Sequence, residues 1–100
     1  GDVIGDDVRS RLLANGRALR DGDAHISEVE AVVRLYEVSG NGEWRIAALD
    51  PDDEDIARGL AASGGLLYAT FRLSQLATEC ERGGRTIVRD LYFRPGRQDV

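Results

Sequence analysis

Apolar positions in the first fifth of the chain fall at helical spacing. Val8, Leu12, Leu13 and Leu19 recur among arginines from Asp6 to Arg20, with an acidic pair before them and Gly22 after. That arrangement predicts a capped amphipathic helix. Gly16 lies inside it, at a cost of about 1 kcal/mol relative to alanine.

The next stretch, Ile26 to Val38, fits two templates. Ser27 with Glu30 spells a capping box, and Val29, Val32, Val33 and Tyr36 have helix spacing. Its β-branched content and the following Asn41-Gly42 favour the strand reading, in which the two form a hairpin turn. The implied register sets Ser39 opposite Trp44, Glu37 opposite Ile46 and Leu35 opposite Ala48. Trp44, Ile46 and Ala48 then share a face with Val33 and Leu35, which only Glu37 interrupts.

Asp50-Pro51-Asp52-Asp53-Glu54-Asp55 stops that strand and carries the proline and acids of a helix N-terminus. Ile56, Leu60, Leu67 and Phe71 then form one stripe, widened by Leu66, Leu73, Leu76 and Cys80. Ser63-Gly64-Gly65 kinks this block or divides it into Asp52 to Ala62 and Gly65 to Arg82, and Arg82-Gly83-Gly84 ends it. Arg85 to Arg94 reads as a strand closed by Pro95-Gly96. The fold class is therefore α+β, in the order helix, strand, strand, helix, strand. A small antiparallel sheet, hairpin plus C-terminal strand, is covered on one face by the long, kinked or broken helix and the N-terminal helix. Residues 1–97 form one domain, and 98–100 are expected to be a mobile tail.

Composition fits this picture: 42% hydrophobic and 31% charged residues in 100 make an ordinary globular chain with room for a real core. Charge is sorted by position. Asp21 to Asp55 holds eleven acids against Arg34 and Arg45, while the flanks hold eleven arginines against seven acids. Separated patches of opposite sign favour steered association with a partner or with a second copy. A single cysteine excludes a disulfide framework and fits the cytoplasm. The uncharged run Leu60 to Phe71 is shorter than the roughly 20 residues that span a bilayer, so no membrane partner is expected. Without a methionine, Gly1 is expected to be an appended or processed end.

No residue set carries convincing chemistry. His25 lies in a polar loop with Asp21 and Asp23, where solvation explains it better than general-base catalysis. Cys80 is flanked by Glu79 and Glu81, which raise a thiol pKa, so a packing role is expected. Asp52 to Asp55 lacks the ligand spacing of a calcium loop, and one histidine with one distant cysteine makes no zinc site. Ser63-Gly64-Gly65 carries no phosphate-loop fingerprint. No catalytic, cofactor-binding or metal-binding residues are assigned.

The favoured function is a small non-enzymatic protein-interaction or regulatory module that self-associates as a two-fold dimer. Leu66, Leu73 and Leu76 with Arg85 and Arg89 form its interaction surface. The first alternative is a nucleic-acid-binding regulator: the spacing from Ile56 to Leu67 loosely resembles a helix-turn-helix, and Arg82, Arg85, Arg89, Arg94 and Arg97 supply a basic strand. Five carboxylates at the start of that block disfavour nucleic acid, and pairing of Arg85 and Arg89 with Glu28, Glu30 or Glu37 explains the arginines otherwise. The second alternative is a small-molecule pocket lined by Trp44, Tyr36, Tyr68, Phe71 and Tyr92.

Overall fold

The computed structural model describes residues 4–62 and 65–95. It is an α+β fold of two helices and one five-stranded antiparallel sheet. The elements run α1 (Asp6–Arg20), a 3₁₀ turn (Ile26–Glu28), β1 (Val33–Val38), β2 (Glu43–Asp50), β3 (Asp53–Ala62), β4 (Leu66–Arg72), α2 (Leu73–Arg82) and β5 (Thr86–Arg89). Strand order is β4-β3-β2-β1-β5. The first four strands form a meander, and α2 carries the chain from the β4 edge to the β5 edge.

Helix α1 forms over the expected residues, but its N-cap is Gly5, with no side-chain capping hydrogen bond, and the acidic pair lies inside it. Asp6 and Asp7 lie in its first turn and Arg17 and Arg20 in its last, each complementing the helix dipole. Gly22 takes φ +80° as the chain leaves the helix, while the Asp23 amide donates to the Ala18 carbonyl.

The hairpin forms, but in a shifted register. Val33 lies opposite Ile46 and Leu35 opposite Trp44, so the chain reverses around Ser39 and Gly40 rather than Asn41-Gly42. Ser39 adopts φ +66° there. The slip between the expected and observed pairings is an even number of residues, and side-chain direction repeats every two. Val33, Leu35, Trp44 and Ile46 therefore share a face as expected. Upstream of β1 the capping box is His25 with Glu28, not Ser27 with Glu30. The Ser27 amide donates to His25 Nδ1 and Glu28 accepts from the His25 amide at 2.7 Å, which closes one 3₁₀ turn.

The larger correction concerns Asp53–Ala62 and Leu66–Arg72, which are two strands and not helix. Asp50 Oδ1 accepts from the amides of Asp52 (2.8 Å) and Asp53 (3.3 Å), so Asp50-Pro51-Asp52 turns β2 into β3. Ile56 and Leu60, four apart, share a face in a strand as they do on a helix, and the small residues between them decide the outcome. Ala57 and Gly59 are the buried positions of β3, facing the core while the large side chains face outward. The helix-turn-helix reading falls with this correction. Among the described residues of that block, helix remains only at Leu73–Arg82, where the expected glycine stop holds: Gly84 has φ +73°. Ser63 and Gly64, the expected break, and the expected tail at 98–100 lie outside the described residues.

Both helices cover the same face of the sheet. Ile4, Leu12, Val33, Leu35, Ile46, Leu49 and Ala57 are buried there, with Val8, Trp44, Phe71, Leu73 and Ile87 packed around them. The register shift between Ile46 and Ala48 leaves Ala47 as a bulge in β2, and Asn15 Nδ2 of α1 donates to its carbonyl at 2.8 Å. One residue on, buried Gly16 lets the helix backbone approach Leu49: a Cβ there would stand 1.8 Å from the Leu49 oxygen.

Candidate interaction surface

Among the described residues, strand β4 ends the sheet, hydrogen-bonded to β3 on one side only. Its seven residues, Leu-Leu-Tyr-Ala-Thr-Phe-Arg, carry no charge before Arg72 and no glycine or proline. Ala57 pairs with Phe71, Gly59 with Ala69 and Ala61 with Leu67. Leu67, Ala69 and Phe71 thus lie on the helix-covered face, and Leu66, Tyr68 and Thr70 on the other. Leu66, Leu67 and Tyr68 are 38%, 64% and 57% exposed. Apolar side chains on both faces of an edge strand, beside unpaired backbone groups, make a template for another strand.

The opposite edge is built differently. β5 is four residues long and bounded by Arg85 and Arg89, the short, charged form in which natural sheets blunt their edges. Both arginines also point to fixed acids. Arg85 Nε donates to Glu37 at 2.6 Å, and Arg89 donates twice to Asp7, both at 2.8 Å. The expected pairing of Arg85 with a hairpin glutamate thus holds, while Arg89 reaches α1 instead.

Glu37, the single polar residue on the inner face of the hairpin, joins three elements. Its side chain is only 9% exposed, and it accepts from Arg85 Nε, the Gly42 amide (2.8 Å) and Cys80 Sγ (3.1 Å). The Cys80 and Arg85 hydrogen bonds hold its pKa below the ordinary glutamate value. A Cβ at Gly42 would lie 2.6 Å from Glu37 Oε1, so glycine keeps space for the carboxylate. Cys80 is correspondingly inert: burial first, then donation to Glu37, pushes its thiol up to about 11. The buried, unreactive cysteine is as expected; Glu79 does add to the upward shift, but Glu37, remote in the chain, contributes more than either neighbouring acid.

Charge sorting resolves within the fold. Arg9 pairs with Glu54 at 3.0 Å, Arg20 with Asp52 at 3.5 Å, and Arg72 with Asp53 at 3.0 Å and Asp55 at 3.6 Å. The central acids meet arginines of the flanks, so the separation in sequence is not a separation in space. Asp55 also accepts from the Ser74 amide (2.9 Å) and hydroxyl (2.6 Å). The acidic run does cap a helix, but it caps α2 across the sheet. On the outer face, Arg34 and Arg45 stand directly opposite each other, and Glu43 Oε2 bridges them at 2.6 and 2.9 Å. Burial pushes the Glu43 carboxyl up, and the two guanidiniums outweigh it and hold the pKa low. Arg34 also reaches Asp90 at 3.1 Å and lies over the Tyr36 ring, 4.9 Å from its centre.

The remaining expected site residues do not converge. Leu66 belongs to the β4 edge, whereas Leu73 packs against the core and Leu76 is half-buried on α2. These three make no common helical stripe, which removes the basis of the helix-mediated dimer. Arg82 is exposed at the end of α2, Arg94 bonds to the carbonyls of Leu91 and Phe93, and Arg97 lies outside the described residues. Nor do the five aromatic residues line one pocket. Trp44 and Phe71 join the core, Tyr36 lies under Arg34, Tyr68 is on β4 and Tyr92 is 89% exposed. A groove of about 740 Å³ opens instead between Arg9 of α1 and α2, floored by Leu35 and Ile87 and walled by Leu73, Leu76 and Ala77.

Among the described residues, no group of histidine, cysteine and carboxylate side chains is placed to hold a metal ion, and no helix is long and apolar enough to cross a membrane. No curated protein and no solved structure matches the chain. One family does, over residues 3–98, a span that contains every element of the sheet and both helices: the chain belongs to the family described as protein of unknown function DUF2958.

Proposed function

We propose that this chain is a non-enzymatic protein-interaction module that engages its partner by strand addition along β4. The observation that carries the reading is the bare edge itself, seven residues with no charge before Arg72 and with Leu66, Leu67 and Tyr68 exposed. Monomeric proteins blunt such an edge, as β5 is blunted here. The test places a photoreactive residue, p-benzoylphenylalanine, at Leu67 and irradiates the protein in its host cell. A protein adduct that is lost when Thr70→Pro removes a backbone donor supports the module; no protein adduct refutes it.

A second reading rests on the groove between α1 and α2. Its volume lies in the range of small-ligand pockets and its floor is apolar. The two arginines at its rim are committed, Arg9 to Glu54 and Arg85 to Glu37, and Glu81 also lines it, so an apolar molecule suits it better than an anion. A thermal-shift screen of apolar ligands, repeated with Leu76→Arg, checks it. The nucleic-acid reading has lost its helix-turn-helix, and Arg85 and Arg89 are held by carboxylates. No mobility shift of duplex or single-stranded probes at physiological salt is expected.

A further inference from the structure

Resting on the strand-edge reading, we infer that the occupant of the β4 edge is a second copy of this chain, paired β4 to β4 about a two-fold axis through Ala69. A two-fold interface uses the same patch on both subunits, and two copies of one strand related by such an axis run antiparallel, the arrangement of every other pair in this sheet.

The residue order suits that register. Centring on Ala69 pairs all seven residues, Leu66 to Arg72. On the helix-covered face Leu67 comes opposite Phe71 of the partner subunit, so the exposed leucine continues the inner core across the junction. On the other face Tyr68 comes opposite Thr70 of the partner subunit, an aromatic against a β-branched residue. The one charge, Arg72, comes opposite Leu66 of the partner subunit and not opposite its own copy. It is already held by Asp53 and Asp55 of its own β3, so no like-charge pair crosses the axis. The product is one continuous ten-stranded sheet whose two free edges are both the short, arginine-flanked β5. Edge pairing therefore removes the exposed template without creating a new one, as open-ended addition would. Two seven-residue edges make a small interface, so the equilibrium belongs to the micromolar range.

The test uses the self-paired position. Opposed residues of antiparallel strands have Cα atoms about 4.5–5.5 Å apart, inside the span a disulfide bridges. Oxidised Ala69→Cys should give a covalent dimer on a non-reducing gel. Ala77→Cys on exposed α2 and the wild type, whose Cys80 is buried, should stay monomeric. Sedimentation equilibrium of the unmodified wild type should show a monomer-dimer equilibrium, weakened tenfold or more by Leu67→Lys. A wild type that keeps monomer mass to high micromolar concentration overturns the inference, whether or not the cysteine variant folds. Cross-linking by Ala77→Cys as readily as by Ala69→Cys also overturns it. If the photoreactive residue at position 67 then captures only a different protein, the second copy is excluded and the interaction module stands. If it captures no protein, both fall.

Discussion

Replacing Gly16 by alanine tests the packing of α1 on the sheet, because two opposing effects can be sized. Inside a helix the change from glycine to alanine stabilises by about 1 kcal/mol. Here the added methyl carbon would stand 1.8 Å from the Leu49 carbonyl oxygen and 3.2 Å from Pro51 Cδ. An ordinary carbon–oxygen contact is about 3.3 Å, so the helix must retreat by about 1.5 Å. Neither side yields easily. Leu49 is fully buried in β2, and the Asn15 amide ties the adjacent turn of α1 to Ala47. Overpacking costs about 1–3 kcal/mol, and a clash with main chain belongs at the upper end. Subtracting the propensity gain leaves a net loss of about 2 kcal/mol. For a domain of this size that lowers Tm by about 8–16 °C. Thermal and urea denaturation followed by circular dichroism measure it. Ala14→Gly on the exposed face of the same helix is the control, with an expected loss of about 1 kcal/mol. A Gly16→Ala protein as stable as wild type would refute the close approach of helix and strand.

Glu37 links stability to pH. Its folded pKa is depressed below its unfolded value, so its contribution is complete above the ordinary carboxylate range and disappears as pH falls through the folded value. Tm should fall between pH 6 and pH 3, and Glu37→Gln should flatten that slope while lowering Tm at neutral pH; parallel curves would contradict the role given to this carboxylate. Cys80 should resist alkylation. Raising the thiol from 9.0 to about 11 cuts the thiolate fraction at pH 8 on the order of a hundredfold. Iodoacetamide should therefore label native protein at least that much more slowly than urea-unfolded protein, and equal rates would show the thiol to be accessible and ionised.

Local signals sufficed where one element contained its own start, stripe and stop. Helix α1, with Asp6 and Asp7 in its first turn and Gly22 after it, was legible, as were the glycine end of α2 and the shared face of Val33, Leu35, Trp44 and Ile46. The α+β class followed from these. The link between Arg85 and Glu37 was also readable, since an arginine beside a strand of the same sheet needs an acid within reach. Residues 53–72 were not legible. Positions four apart, such as Ile56 and Leu60, share a face in both helix and strand, and an acidic run before them serves equally to end a strand or to cap a helix. Tertiary structure decided by placing Ala57 and Gly59 against the core. The same folding brought Asp55 to the start of α2, Glu37 to Cys80, and the flanking arginines to the central acids. It also made β4 an edge. Whether Leu66, Leu67 and Tyr68 are core or surface depends on which strands lie beside them, a property of strand order that no window along the chain contains.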